Sequence, residues 1–185
     1  MIIGISGKSG SGKSSIAKYL SDNYNYYWID TDKIAKEIRT QYMDQIVELV
    51  KDSNIVENNV IDSKKLGAII FKDKTLLEVY NEFVYKKMKD EINELIDMYA
   101  NVVVDSLFLP IMDVYNDCDY TILVKCDDSL RKQRIIKRDN IDEQYYLNRD
   151  SNSLEYQESD FDFIINNNEN FKDQLEMLIK EIHNI

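Results

Sequence analysis

The fold is decided near the start of the chain by the stretch Gly7-Lys8-Ser9-Gly10-Ser11-Gly12-Lys13-Ser14, which matches G-x-x-x-x-G-K-[S/T] in full. The apolar run 2–5 precedes it, and a helical pattern over about 13–20 follows it. The glycines let backbone N–H groups turn inward around a phosphate, and the helix N-terminus adds its positive end. The stretch therefore predicts a nucleotide-binding loop rather than a flexible Gly/Ser turn, with Gly7, Lys8, Ser9, Gly10, Ser11, Gly12, Lys13, Ser14 and Ser15 as the binding residues.

Short apolar runs alternate with longer helical patterns along the rest of the chain. Strands are predicted at 2–5, 26–29, 102–104, 121–124 and 161–165. Helical patterns cover about 13–20, much of 62–99, 128–137 and 171–182, and Asp32 could cap a further helix. This alternation predicts an α/β fold, a parallel five-stranded sheet with helices on both faces.

The composition of the chain limits the classes of binding partner and the compartment. The formal net charge of −11 and a pI of about 4.6 disfavour DNA or RNA, whose phosphates such a chain repels. No apolar run approaches the ~18 residues of a membrane span. Cys118 and Cys126 form no C-x-x-C and read as buried thiols, which fits a reduced, cytoplasmic compartment. The one histidine, His183, lies at the end of the chain, which argues against histidine catalysis.

Carboxylates follow two of the predicted strands. The Ser14 hydroxyl is expected to ligate Mg²⁺, and a neighbouring carboxylate completes such a site. Asp105 ends the run 102–104 and suits that role, or it is a turn residue after a strand. Asp30 and Asp32 follow the run 26–29 at the sheet edge where ligands bind in open α/β folds. Either could serve the metal or act as the base; we assign Asp30 to the metal and Asp32 to the base, although Asp32 could instead only cap its helix.

Arginine is concentrated in one part of this acidic chain, where four of the five arginines fall within nineteen residues. Arg131, Arg134 and Arg138 share one face of a predicted helix, and the planar guanidinium suits phosphate. We assign Arg134 to nucleotide binding and Arg138 to phosphoryl transfer. The alternative is a solvated face that pairs with Asp127, Asp128 and Asp139.

The nucleotide-binding loop leaves three classes of protein open. A switch GTPase is disfavoured because the chain has no Asn-Lys pair and no glycine three residues after an Asp. An ATPase module without a small acceptor would hydrolyse ATP by itself. An arginine-rich lid is what phosphoryl transfer to a small molecule requires, and this favours a kinase that uses ATP, with Lys13 following the γ-phosphate.

The motifs, in their order, resemble those of the dephospho-coenzyme A kinase family. The resemblance spans nearly the whole chain and is carried by the run 3–7 into the loop, Ile29-Asp30-Thr31-Asp32, Ile61-Asp62 with Leu66-Gly67 and Phe71, Asp105-Ser106-Leu107-Phe108, Arg134 to Arg138-Asp139, and Asp162-Phe163-Ile164-Ile165-Asn166-Asn167. It implies a P-loop kinase that phosphorylates the ribose 3′-hydroxyl of dephospho-coenzyme A with ATP and Mg²⁺. Asp32 would act as base near that hydroxyl, Arg138 would bind the phosphates from the lid, and Asn167 would belong to the adenine-side loop.

The length of 185 residues favours a single domain over 1–185. Its core would cover about 1–35 and 100–185, a helical substrate-binding region about 40–99, and a short lid about 138–158. The family's His-Pro pair is absent, with Val84-Tyr85 near that place, so a divergent nucleoside or nucleotide kinase stays an alternative. The expected partner is a small-molecule acceptor, with no nucleic acid and no membrane, and the expected state is a monomer or weak oligomer.

Overall fold

The computed structural model describes residues 1–150 and 154–183, and these fall into two compact units. The first unit comprises residues 1–30 and 96–185, and the second comprises 31–95. Part of the expected lid, 151–153, lies outside the described residues. None of the described helices combines the length and the apolar character needed to cross a bilayer.

Strands and helices alternate through the first unit, and helices predominate in the second. The strands are β1 Ile2–Ser6, β2 Tyr27–Asp30, β3 Val56–Glu57, β4 Val60–Ile61, β5 Val102–Asp105, β6 Tyr120–Lys125 and β7 Phe163–Asn166. The helices are α1 Lys13–Tyr24, α2 Thr31–Gln41, α3 Met43–Val50, α4 Ser63–Ile70, α5 Lys74–Met98, α6 Asp128–Asp139, α7 Glu143–Asp150 and α8 Lys172–His183.

The main sheet has the order β2-β5-β1-β6-β7, and every neighbouring pair is parallel. The predicted five-stranded parallel sheet and the α/β class are therefore confirmed. The central strands are apolar runs because parallel strands of this kind are buried on both faces. The register places Ile5 beside Asp105 and Asp105 beside Asp30, so polar side chains at the ends of β2 and β5 gather at one edge of the sheet.

One face of the sheet carries the main core of the first unit. Ile3 and Ile5 of β1 are fully buried there with Leu20 of α1 and Leu175 of α8. Residues of a strand alternate between faces, so Gly4 faces the other side, where a Cβ would lie 2.6 Å from Leu109. The close approach of the turn after β5 explains a glycine in the middle of this strand.

The second unit is built mainly from helices. Asp62 caps α4, because its carboxylate accepts hydrogen bonds from the backbone N–H groups of Lys64 and Lys65. Its β3–β4 hairpin was not predicted; Asn58 and Asn59 occupy its turn with positive φ of 50° and 60°.

The buried stripe of α5 differs in part from the one its spacing suggests. Tyr80, Val84, Met88 and Ile92 are buried at intervals of four residues. Val79, which the i, i+3, i+4 pattern also places on this stripe, is 46% exposed. A 25-residue helix buries only the side that meets its neighbours, so an apolar residue on its border remains in solvent.

Other element boundaries also differ from expectation. α1 continues four residues beyond its predicted end, to Tyr24. It ends there because the next residue, Asn25, adopts the left-handed conformation. The segment after α6 contains no predicted helix, yet part of it forms α7. α2 begins at Thr31, so Asp32 lies inside its first turn and the expectation that Asp32 caps this helix is wrong.

Candidate active site

The loop between β1 and α1 has the backbone that its glycines require. Gly7, Gly10 and Gly12 have φ of 146°, 79° and 101°, a region that L-residues rarely occupy. A Cβ at Gly7 would also collide with the carbonyl oxygen of Val124, and one at Gly12 with the side-chain nitrogen of Asn167. α1 begins directly after Gly12, so its N-terminal N–H groups face the loop. Such a loop is suited to binding an anion.

The side chains of the loop differ in their burial and in their partners. Lys13 is half-buried at the first position of α1, while Ser14 and Ser15 are exposed. Lys8 forms an ion pair with Glu155 at 2.6 Å. The Ser9 side chain is partly exposed. Ser11 is buried, and its hydroxyl lacks a hydrogen-bond partner within the described part of the chain.

The three residues predicted to serve a metal share one edge of the first unit. Ser14 donates a hydrogen bond from Oγ to Oδ2 of Asp105 at 2.7 Å. Asp105 is 5% exposed, and Asp30 is its register neighbour at the end of β2. Oxygen donors of this kind are the ligands that Mg²⁺ prefers. The hydroxyl and the two carboxylates therefore suit a magnesium ion that also contacts a nucleotide phosphate.

Asp32 lies in the second unit, exposed in the first turn of α2. An acidic side chain there interacts favourably with the positive end of the helix. It follows Asp30 by two residues in the chain, and this proximity in sequence is what links it to the edge of the sheet.

The predicted arginine face is divided by the fold into three environments. Arg131 pairs with Asp128, which is one of the partners expected in the alternative of a solvated face. Its own side chain, however, is buried rather than solvated. Arg134 donates to the carbonyl oxygens of Gly10 at 3.5 Å and Asn167 at 3.1 Å. Arg138 is half-exposed and donates to Asp139.

Asn167 links the loop to strand β6. Its Nδ2 donates to the carbonyl of Ser11 at 2.7 Å, and its backbone N–H donates to the carbonyl of Lys125 at 2.8 Å. Its own carbonyl accepts from Arg134. A buried amide with these bonds fixes the loop relative to β6 and β7 without any ligand.

Sequence reasoning missed a set of contacts made by residues 155–158, which follow α7 in the chain. Tyr156 donates from its hydroxyl to the carbonyl of Leu107 at 2.6 Å, and burial raises the pKa of Tyr156 above its usual value. Glu155 pairs with Lys8, and Glu158 with Lys125. Thirteen tyrosines are spread through this chain, so nothing in the local pattern marks Tyr156.

A cavity of about 430 Å³ lies between this segment, the loop and the end of β6. Lys8, Ser11, Cys126, Arg131 and Tyr156 contribute to its lining. It adjoins the phosphate-binding loop and belongs to the same site.

The chain is similar to proteins of one kinase family. Residues 1–173 match the family model described as "CoaE: Dephospho-CoA kinase". A Fusobacterium nucleatum protein named "Dephospho-CoA kinase" is 32% identical over 181 residues, which cover 94% of this chain and 92% of that protein.

Solved structures share the fold. TT1252 from Thermus thermophilus superposes with a TM-score of 0.83 at 22% identity, covering 98% of this chain and 95% of the other. "Dephospho-CoA kinase from Campylobacter jejuni" superposes with a TM-score of 0.62 at 21% identity, with the same coverage. At these identities the superpositions support the fold alone.

Proposed function

The chain belongs to the dephospho-coenzyme A kinase family, and we propose that it transfers the γ-phosphoryl group of ATP to the ribose 3′-hydroxyl of dephospho-coenzyme A. The bond between the γ-phosphorus and the β–γ bridging oxygen breaks, and a bond from the 3′-oxygen to that phosphorus forms. The hydroxyl proton leaves to a base, and ADP and coenzyme A are the products. The observation that carries this proposal is the family match over residues 1–173, which contains the phosphate loop and all the residues assigned below.

We assign the phosphates to the loop and its two supports. The backbone of Gly7–Gly12 would surround them, because its glycines hold conformations that leave room for an anion. Lys13 would follow the γ-phosphoryl group, whose charge spreads over its oxygens during transfer. Arg134 would bind the nucleotide, and Asn167 would belong to the adenine-side loop, as the resemblance implies; both residues already contact the phosphate loop.

We assign Mg²⁺ to Ser14, Asp105 and Asp30. Ser14 and Asp105 are within hydrogen-bond distance of each other and Asp30 is the neighbour of Asp105, so the donor set is compatible with a hard cation. When bound, the ion neutralises charge on the β- and γ-phosphates. Before it binds, Asp105 keeps the Ser14 hydroxyl turned toward the end of the sheet.

We assign the acceptor proton to Asp32 and the charge on the transferring group to Arg138. Asp32 carries an exposed carboxylate two residues beyond the end of β2, as the resemblance requires of the base. Arg138 would exchange its partner Asp139 for phosphate oxygens when the nucleotide binds. A guanidinium forms two parallel hydrogen bonds with either partner, so the exchange conserves the kind of contact.

We propose further that the enzyme acts in the cytoplasm on a free small molecule, as a monomer or weak oligomer. The net charge of −11 disfavours nucleic acid and the anionic surface of membranes. The cysteines of the described chain are free thiols, as in a reducing compartment.

The function is tested by ADP release in the presence of ATP and Mg²⁺ with a panel of acceptors. The panel contains dephospho-coenzyme A, nucleoside monophosphates, nucleosides and no acceptor, and Lys13→Ala serves as the matched control. ADP release with dephospho-coenzyme A, together with coenzyme A formation, supports the proposal. Faster turnover of a nucleoside or nucleotide would replace it with the alternative kinase, and equal ADP release without acceptor would replace it with an ATPase.

A further inference from the structure

Arg131 is the largest fully buried side chain among the described residues. It is 2% exposed, although it belongs to a helix whose neighbouring arginines reach solvent or the nucleotide loop. A buried guanidinium is costly unless its donors are paired. Its partners therefore show what the fold uses it for.

One partner of Arg131 is the phosphate loop. Nη1 donates to the carbonyl oxygen of Ser9 at 3.0 Å. The loop lies directly against α6 at this point, since a Cβ on Gly10 would lie 2.8 Å from the side chain of Ile135 and 3.2 Å from the carbonyl of Arg131. The peptide between Ser9 and Gly10 is planar and trans, so its C=O and N–H point in opposite directions. With the Ser9 carbonyl turned to Arg131, the N–H of Gly10 points away from α6.

A second partner is the helix α7, which lies within the expected lid. Nη2 of Arg131 donates to both carboxylate oxygens of Asp150, at 2.9 and 3.0 Å. Asp128 of α6 accepts from Nε and Nη2 at 3.1 and 2.9 Å. Burial by itself lowers the pKa of Arg131, but the hydrogen bonds to Asp128 and Asp150 raise it above its usual value overall. The guanidinium is thus a permanent charge shared between the loop and α7.

We propose that Arg131 is a positioning residue for nucleotide binding, and that Asp150 holds it in place. Arg131 holds the Ser9 carbonyl toward α6 and thereby aims the Gly10 N–H at the bound phosphates. Because Asp150 of α7 holds Arg131, this geometry depends on the position of α7. The proposal rests on the proposed function for its nucleotide, and it concerns affinity for that nucleotide rather than the identity of the acceptor.

The test compares Asp150→Asn with a matched control, Glu143→Gln. Asp150 is partly exposed, so its substitution leaves the core intact, whereas Glu143 pairs with Lys132 between the same two helices and does not contact the loop in the described structure. ADP affinity is measured by calorimetry with Mg²⁺ present, and KM for ATP and kcat by coupled assay. We expect Asp150→Asn to weaken ADP binding and raise KM for ATP by about 5- to 30-fold, the factor for 1–2 kcal/mol. We expect Glu143→Gln to change neither by more than about twofold, within the ±0.5 kcal/mol usual for surface substitutions.

Two further variants separate positioning from mere stability. Asp150→Glu keeps the carboxylate and should recover much of the lost affinity. Arg131→Lys keeps the charge but loses the planar fork, so it should weaken ADP binding in the same direction. Hydrogen exchange of the peptide that contains Ser9 and Gly10 should rise in Asp150→Asn and stay unchanged in Glu143→Gln.

The proposal is overturned if Asp150→Asn lowers the melting temperature while ADP affinity and loop exchange stay at wild-type values. It is also overturned if Glu143→Gln has the same effect as Asp150→Asn. If Arg131→Lys does not fold, Asp150→Asn decides alone. Failure of the proposed function would appear differently, as wild-type protein that binds ADP but does not phosphorylate dephospho-coenzyme A.

Discussion

Replacing Gly12 by alanine should cost much of the stability of the chain, because two independent penalties coincide there. Gly12 has a φ of 101°, and placing an L-residue in a left-handed conformation costs roughly 1–2 kcal/mol. The new Cβ would overlap the side-chain nitrogen of Asn167. To make room, Asn167 must give up its 2.7 Å bond to the carbonyl of Ser11, and a buried polar group left without a partner costs about 1–3 kcal/mol.

The expected loss is therefore about 2–5 kcal/mol in the free energy of unfolding. In a chain of this size each kcal/mol lowers the melting temperature by about 2–4 °C, so thermal unfolding followed by circular dichroism should show a fall of roughly 4–20 °C. The matched control is Gly67→Ala in α4, which lacks a positive φ. Its Cβ meets only the ring of Phe71, an exposed side chain that can move, and alanine favours the helix by up to about 1 kcal/mol.

A double variant tests the mechanism directly. Asn167→Ala also loses the bond to Ser11 but removes the obstacle, so Gly12→Ala with Asn167→Ala should be about as stable as Gly12→Ala alone. The coupling between the two sites is then about 1–3 kcal/mol, the cost of the shared bond. Strictly additive losses would refute the argument, since they would mean that the alanine and Asn167 do not compete for the same space.

Five further results are expected. Lys13→Ala should lower kcat by roughly 10²–10³-fold, the usual loss for one charge-stabilising donor, with little change in melting temperature; unaltered turnover would exclude the phosphate-loop assignment. Arg138→Lys should reduce kcat more than it weakens ATP binding, because the fork is lost and the charge is kept; a lower melting temperature with normal kcat would instead indicate a structural pair with Asp139. Asp32→Asn should lower turnover by roughly 10²–10⁴-fold with ATP affinity unchanged, and a fully active Asp32→Asn variant would refute the assignment of Asp32 as the base. Asp30→Asn should instead shift the dependence of turnover on Mg²⁺ concentration. Burial raises the pKa of Cys118 to about 12. Alkylation of this thiol by iodoacetamide in the folded protein should therefore stay slow as the pH rises through 9 and accelerate only near 12, whereas the unfolded chain should react near pH 9. Rapid labelling of Cys118 in the folded protein at pH 9, measured by peptide mass spectrometry, would contradict its burial.

Local sequence determines much of this fold because its signals are short-range. Residues 2–14 alone predict strand, loop and helix, since the apolar run, the glycine spacing and the following helical pattern all lie within one element of each other. The run ending at Asp105 likewise predicts a strand, because a strand buried on both faces needs unbroken apolar sequence. The run ending at Asp30 also predicts a strand, although β2 lies at the edge of the sheet and its Tyr27 is exposed. The assignments of Asp32, Arg138 and the metal residues stay predictions, since they concern a ligand.

Tertiary structure alone decided which of these elements are neighbours and what their side chains meet. The order β2-β5-β1-β6-β7 brings Asp105 to Ser14 across 91 residues of sequence, and Asn167 to Ser11 across 156. Helical spacing gave Arg131 and Arg138 the same face, but the loop covers only one end of α6, so one guanidinium is buried and the other reaches solvent. Periodicity specifies the face of an element, whereas burial depends on what packs against that face, and that partner comes from a distant part of the chain.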